Sequence, residues 1–231
     1  MIKTINCNNS KDINLNEILK ILSEDGICIL KSYYNEEELK KFVDELNIIF
    51  ENRKNKIDIL DAEECSKDER IFHAENYSKY ILNNFANDRN FNLIARKYTK
   101  RGFNKKTLIN RLEYEEGKVK NSGAGWHRDN HDCQFKTIMY LTDVTEKNGN
   151  FQWITNSSKR HIGKPKPRTK NYDTRFYDET VENILNDSQN NCELVNVVGE
   201  KGTIIIADTT YIHRGNIIQE GERRAITQYY F

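Results

Sequence analysis

The most constraining feature of this 231-residue sequence is a change of pattern after Gly102. From there onward, short runs rich in Ile, Val, Tyr, Phe and Thr alternate with turn-forming residues, without helical patterns between them. Many short strands at close spacing are typical of a sandwich or a jelly roll. The predicted strands lie near residues 107–114, 125–129, 134–142, 150–155, 193–198, 202–207, 210–214 and 223–230.

The first part of the chain favours helices. Apolar residues at helical spacing predict a helix over 15–22, and the short apolar run 27–30 predicts a strand after it. Asn35 precedes three glutamates, which suit the positive end of a helix dipole, so a second helix is expected to begin there. Two further helical patterns lie within 77–98, whereas the highly charged segment 52–70 is interpreted as a loop or a mobile helix.

These patterns predict one domain over residues 1–231, a length that suits a single core. Residues 1–106 are expected to give mostly helical support, and residues 107–231 the jelly-roll core. The predicted fold class is therefore α+β with a mainly β core, in which N-terminal helices flank a jelly roll.

The composition excludes several classes of protein. Lys and Arg total 36 against 35 Asp and Glu, and a near-zero net charge argues against a general nucleic-acid binder. The sequence contains neither a long apolar run for a membrane span nor a signal-like N-terminus. Five scattered cysteines without a CxxC pair argue against a zinc ribbon and favour a reducing compartment. We expect a cytoplasmic monomer or homodimer that acts on a small molecule, with no nucleic-acid or membrane partner.

A short motif in the β-rich part points to a metal site. In a strand, residues i and i+2 lie on one face, so His127 and Asp129 can offer an imidazole nitrogen and a carboxylate oxygen to one ion. His213, at the end of an apolar strand, is the candidate third ligand. Two histidines and one carboxylate on one side of a metal leave the opposite side open, as in non-haem Fe(II) oxygenases.

An arginine ten residues after His213 is a candidate for binding an anion. Arg223 lies at the start of the final strand, which a short turn can bring beside the strand of His213. A guanidinium matches a carboxylate bidentately, so it suits the distal carboxylate of a chelating keto acid. The adjacent Arg224 is the alternative for this role.

His127-x-Asp129, His213 and Arg223, together with segment 135–151, resemble the phytanoyl-CoA dioxygenase family of Fe(II)/2-oxoglutarate-dependent oxygenases. The resemblance covers about residues 107–231. It implies a double-stranded β-helix, the cofactors Fe(II), 2-oxoglutarate and O2, release of succinate and CO2, and hydroxylation as the default outcome. The presence of Asp129 disfavours a halogenase, because related halogenases lack the carboxylate.

The sequence departs from the family pattern at two places that bear on how 2-oxoglutarate is bound. The stretch 156–158 lacks the histidine often found there, and Gly215 stands where a serine is frequent. Tyr140 corresponds to an aromatic residue that lines the co-substrate pocket in relatives, and the alternative is a core aromatic residue of the strand. Lys136 shares a strand face with Tyr140, so it either points inward to meet a carboxylate or is a solvent-facing lysine at the edge of the sheet.

Other positions carry weaker signals. The segment 159–170 contains six Lys and Arg residues and both prolines, and predicts a long loop. It is either a solvated basic loop or a lid that receives an anionic substrate. Softer candidates for contacts in or near the pocket are Asn110, Arg111, His131 and Asp132, whereas His73 and His161 are expected to be surface or helper residues.

The sequence leaves two alternatives to the oxygenase. One is a metal-binding jelly-roll isomerase or hydrolase without O2 chemistry, which would use the metal ligands but not Arg223. The other is a non-catalytic binding module of the same fold.

Overall fold

The structure is a computed structural model that describes residues 2–52, 58–59, 66–100, 102–118, 125–132, 134–165, 167 and 174–231. The helices are α1 (Leu15–Asp25), α2 (Glu36–Asn52), α3 (Lys79–Ile81), α4 (Arg89–Thr99), α5 (Lys159–Ile162) and α6 (Asp178–Asn186). A 3-10 turn covers Ala74–Asn76, and a π turn at Leu82–Ala86 continues α3. The strands are β1 (Thr4–Asn6), β2 (Ile27–Lys31), β3 (Asp58–Ile59), β4 (Lys67–Phe72), β5 (Lys105–Glu113), β6 (Phe135–Tyr140), β7 (Phe151–Ile154), β8 (Leu194–Val197), β9 (Ile204–Asp208), β10 (His213–Gly215) and β11 (Glu222–Tyr230).

The strands form the two sheets of the predicted jelly roll. The large sheet has the order β1-β2-β9-β6-β11-β5-β4-β3, and the small sheet has the order β10-β7-β8. All pairings are antiparallel except β1 with β2. Several paired strands are distant in sequence, such as β2 with β9 and β5 with β11. The prediction that the final strand lies beside the strand of His213 is wrong, because β11 pairs with β5 and β6 in the large sheet whereas β10 pairs with β7 in the small sheet.

The N-terminal helices pack their apolar faces together with the large sheet in one buried cluster. Asn35 caps α2 as predicted, since its Oδ1 accepts from the Glu38 N–H at 2.9 Å while Glu38 Oε2 accepts from the Asn35 N–H at 3.0 Å. Gly26 ends α1 with a φ of 75°, and a Cβ there would lie 2.5 Å from the Tyr211 ring. The glycine therefore lets α1 end directly against the turn that connects β9 to β10.

The interpretation of 52–70 as a loop or a mobile helix is wrong where the structure describes that segment. It contributes β3 and β4, which extend the large sheet beyond β5. The charges are accommodated because Asp68 pairs with Arg70 at 2.7 Å and Glu69 pairs with Arg111. These ion pairs allow a strongly charged strand to be half-buried.

Two other regions differ from the predictions. Residues near 125–129 do not form a strand, and His127 makes isolated bridges to Arg175 and His213. Helix α6 was not predicted, because only Val181 and Ile184 are buried along it and they give a short apolar pattern.

The basic segment 159–170 begins with α5 rather than with a loop. Residues 166 and 168–170 lie outside the described residues, so the rest of that prediction is untested. None of the described helices is both long and apolar enough to cross a bilayer.

Candidate metal centre

His127, Asp129 and His213 converge at one point between the sheets. Their ligand atoms all lie within 4.8 Å of one another. Asp129 Oδ1 is 3.6 Å from His127 Nε2 and 3.8 Å from His213 Nε2, and the two imidazole centroids are 4.3 Å apart. The Nε2 atoms of both histidines and Oδ1 of Asp129 are therefore close enough to bind one metal ion.

Backbone pairing explains how residues so distant in sequence come together. The His127 N–H donates to the His213 carbonyl at 3.0 Å, and the His213 N–H donates to the His127 carbonyl at 2.9 Å. Directly opposed residues of an antiparallel pair point to the same face, so the two imidazoles are neighbours. The Asp129 N–H donates to the Thr209 carbonyl at 2.9 Å, which fixes the carboxylate beside them.

The intervening Arg128 points away from this centre. Its buried guanidinium donates to the carbonyls of Ser157 and Gly163 and lies 5.6 Å from the Phe176 ring. These bonds of Arg128 fix the backbone between His127 and Asp129 on the side away from the cavity, although 125–129 forms no continuous strand.

The histidines are oriented for binding a cation. His127 Nδ1 lies 2.8 Å from the Gly125 carbonyl and His213 Nδ1 lies 2.9 Å from the Tyr211 carbonyl, so each Nδ1 carries the proton and each Nε2 is left as an acceptor. The buried Nε2 of His213 has no hydrogen-bond partner among the described residues. A buried acceptor without a partner is costly, and a metal ion would satisfy it.

Burial also keeps both rings neutral. It lowers the pKa of His213 to about 4 and lowers the pKa of His127 well below its usual value. Two neutral imidazoles and one carboxylate are a donor set that suits a divalent transition metal. The residues present therefore fit the metal that the sequence predicts.

Lys136 neutralises the outer oxygen of Asp129. Its Nζ lies 2.5 Å from Asp129 Oδ2 and 4.8 Å from the Tyr229 ring centroid. Burial opposes the charge of both groups, but their attraction prevails: the pKa of Asp129 falls below its usual range and the pKa of Lys136 rises. The two groups form a charged pair in the cavity wall.

The centre opens into a cavity of about 230 Å³. Residues of both sheets line it: Arg70, Leu108, Asn110, His127, Asp129, Lys136, Ile138, Tyr140, Phe151, Arg175, His213, Gly215, Arg223, Ala225, Thr227 and Tyr229.

The two candidate arginines point in different directions. Arg223 lines the cavity, and its Nη1 donates to the Gly149 carbonyl, whereas its buried Nε has no hydrogen-bond partner among the described residues. Arg224 is absent from the cavity wall, and its guanidinium bonds to Glu222 at 3.1 Å and Asn47 at 2.8 Å.

Tyr140 presents its ring to the cavity, but its hydroxyl has other partners. The hydroxyl donates to the Val197 carbonyl at 2.9 Å and accepts from the Phe151 N–H at 2.9 Å. Both partners are backbone groups of the small sheet, so Tyr140 ties the two sheets together. Its contribution to the cavity is therefore an aromatic wall.

The weaker candidates are mostly elsewhere. Asn110 lines the cavity, whereas Arg111 pairs with Glu69. His131 and Asp132 line a separate pocket, outside the metal cluster. The two remaining histidines are exposed: His161 lies 2.7 Å from Ser158 Oγ, and His73 lies 3.3 Å from Glu75.

The cavity residues that the sequence analysis did not identify include Arg70, Arg175 and Tyr229. The alternation Asp68-x-Arg70-x-Phe72 was a usable strand signal for the first, and Tyr229 lies two residues from Thr227 on a predicted strand. No local pattern marks Arg175.

Solved structures with low sequence identity share this fold. They include the non-haem α-ketoglutarate-dependent epimerase SnoN from nogalamycin biosynthesis, with a TM-score of 0.72, 12% identity, and coverage of 94% of this chain and 82% of that chain. EctD from S. alaskensis with bound Fe has a TM-score of 0.68 and 16% identity, with coverage of 96% and 78%. HygX from Streptomyces hygroscopicus with nickel, 2-oxoglutarate and hygromycin B has a TM-score of 0.62 and 15% identity, with coverage of 93% and 86%.

At the level of sequence, no curated protein matches this chain. The model of the phytanoyl-CoA dioxygenase (PhyH) family matches residues 22–225, which include all three converging side chains and Arg223. Because this match spans most of the chain, the protein belongs to the phytanoyl-CoA dioxygenase family.

Proposed function

We propose that the protein is an Fe(II)- and 2-oxoglutarate-dependent dioxygenase that oxidises a small molecule and releases succinate and CO2. The observation that carries this proposal is the arrangement of the cavity: His127, Asp129 and His213 converge at one wall, and Arg223 enters from the other sheet. Family membership supports it, as do iron, nickel and 2-oxoglutarate in structures of the same fold.

The proposed iron ligands are His127 Nε2, Asp129 Oδ1 and His213 Nε2. When bound, Fe(II) supplies sites for chelation of a keto acid and for activation of O2. The chain holds its ligands in advance, because both Nδ1 protons are fixed by carbonyls and Asp129 Oδ2 is held by Lys136.

The proposed role of Arg223 is to bind the distal carboxylate of 2-oxoglutarate. The free Nε of its buried guanidinium offers a donor that a carboxylate would satisfy. Tyr140 and Phe151 give the cavity aromatic walls, which exclude water around the co-substrate. Lys136 is proposed as a further cation at the iron end.

We propose hydroxylation as the outcome of the oxidation, although an epimerase is among the proteins of this fold. An isomerase or hydrolase without O2 chemistry has no need for a guanidinium in the same cavity as the metal ligands, whereas Arg223 lines that cavity. A cytoplasmic location, the absence of nucleic-acid and membrane partners, the monomer or homodimer, and the single-domain organisation stay predictions.

The test is the formation of succinate by purified protein with Fe(II), ascorbate and 2-oxoglutarate. We expect turnover in the wild type, loss of turnover in Asp129→Ala, and a raised requirement for 2-oxoglutarate in Arg223→Ala. Arg224→Ala removes the same charge outside the cavity and is the matched control. Succinate at background level in the wild type, with and without a broad set of small molecules, would overturn the proposal.

A further inference from the structure

The cavity contains more cationic than anionic side chains. Four cations line it, and Asp129 is the one acidic side chain of the described wall. Two of the cations have carboxylate partners: Arg70 lies 2.7 Å from Asp68, and Lys136 lies 2.5 Å from Asp129. The other two, Arg175 and Arg223, form no ion pair with the described residues.

Backbone pairing fixes Arg175 beside the metal centre. The Arg128 N–H donates to the Thr174 carbonyl at 2.9 Å, and the Phe176 N–H donates to the Trp126 carbonyl at 3.0 Å. Between these bonds, Arg175 lies directly opposite His127. Opposed residues share a face, so the Arg175 side chain projects on the side of the candidate ligands.

The two unpaired guanidiniums lie on different walls. His127 pairs with Arg175 on one side and with His213 of β10 on the other. Arg175 therefore lies on the same wall as the small sheet, beyond its edge strand β10. Arg223 belongs to β11 of the large sheet. Because the two arginines belong to different walls, we treat them as separate binding positions for anionic groups.

The co-substrate accounts for only one of them. Under the proposed function, one carboxylate and the keto group of 2-oxoglutarate would chelate the metal and the distal carboxylate would pair with Arg223, which would leave Arg175 without an anion. We propose that Arg175 binds a carboxylate or phosphate group of the substrate, so that the substrate is an organic anion. This inference rests on the proposed function of the same site.

The described residues of the basic segment 159–170 do not line this cavity. Lys159 and Arg160 line a separate pocket with His131 and Asp132. Among the described residues, Arg175 is therefore the cation on the metal-bearing wall that is free to meet a substrate.

The test uses two small oxyanions as probes and does not depend on turnover. Co(II)-loaded protein is saturated with 2-oxoglutarate, which occupies Arg223, and the paramagnetic relaxation of the methylphosphonate ³¹P and the acetate carboxyl ¹³C is measured. In the wild type we expect relaxation enhancement that rises and saturates with probe concentration. Arg175→Gln is expected to weaken the binding about tenfold or more, because a charge-assisted hydrogen-bond pair is lost. Stronger binding of one probe tells which oxyanion the site prefers.

Arg96→Gln removes an exposed arginine from α4, outside the cavity wall, and is expected to leave the enhancement unchanged. No enhancement in the wild type, or equal enhancement in the wild type and Arg175→Gln, would overturn the inference alone. Binding of 2-oxoglutarate is read separately from the visible spectrum of Co(II). Protein that binds Co(II) but no 2-oxoglutarate would overturn the proposed function and the inference with it.

Discussion

The ammonium of Lys136 lies 2.5 Å from Asp129 Oδ2, while Oδ1 of the same carboxylate faces His127 and His213. The lysine therefore occupies one oxygen of the candidate ligand and leaves the other for a metal. Both side chains are largely buried, so each depends on the other for compensation of its charge.

Lys136→Met is expected to lower the free energy of unfolding of the metal-free protein by about 3 kcal/mol, because it leaves a buried carboxylate without its cation. Saturation with Ni(II) should recover much of this loss, since the metal supplies positive charge to the same carboxylate. Urea unfolding with and without Ni(II) measures both values. Lys147→Met breaks an exposed pair with Glu220 and should cost at most about 1 kcal/mol. An equal loss for Lys136→Met in both conditions would contradict this explanation.

Arg223→Ala is expected to raise the KM for 2-oxoglutarate about 50-fold, because a charged hydrogen-bond pair contributes about 2 to 3 kcal/mol. Arg224→Ala should change it less than about threefold, since that guanidinium bonds to Glu222 and Asn47 outside the cavity. Initial rates of succinate formation against 2-oxoglutarate concentration give both constants. If the two variants behaved alike, or Arg224→Ala were the weaker binder, the assignment of Arg223 would be wrong.

Tyr140→Phe is expected to destabilise the fold by about 1 to 3 kcal/mol, because it leaves the Phe151 N–H and the Val197 carbonyl unsatisfied between the sheets. The KM for 2-oxoglutarate should change little, since the hydroxyl is not free to bind it. Tyr80→Phe removes a half-buried hydroxyl with one bond of 3.3 Å and is the matched control for unfolding in urea. A large rise in KM at unchanged stability would show instead that the Tyr140 hydroxyl contacts the co-substrate.

Asp88 predicts a specific dependence of stability on pH. It caps α4 and accepts from the Tyr33 hydroxyl at 3.0 Å, but burial raises its pKa above the usual 3.8. The folded state therefore binds this proton more tightly than the unfolded state, and the stabilisation is present below pH 3.8 and lost as pH rises through the folded pKa.

Asp88→Asn keeps a capping oxygen but does not titrate. The difference in free energy of unfolding, wild type minus Asp88→Asn, should therefore fall as pH rises from about 3.8 through the raised pKa of the folded state. Urea unfolding of both proteins across this range tests the sign. A difference that is constant or rises with pH would contradict the raised pKa.

The sequence predicted the site best where residue types that bind metals occur at the spacing of a strand. The i, i+2 spacing of His127 and Asp129 and the strand-end position of His213 were sufficient to predict a common centre, although 125–129 is held by bridges and not by a full strand. Arg70 and Arg175 were missed because strand pairing over long sequence separations brings them to the cavity. β4 was not predicted because segment 52–70 is highly charged. Part of that charge is compensated by Arg111 of the neighbouring strand β5, and this pairing cannot be read from the sequence.

Arg128, between the two neighbouring ligands, has a consequence for the choice of metal. Its guanidinium anchors the ligand segment to the carbonyls of Ser157 and Gly163, so the freedom of His127 and Asp129 to relax around an ion is limited from outside the cavity. Sites with little freedom distinguish divalent ions by coordination geometry rather than by intrinsic affinity. We therefore expect the ion selectivity of this site to depend partly on Ser157 and Gly163, which do not line the cavity.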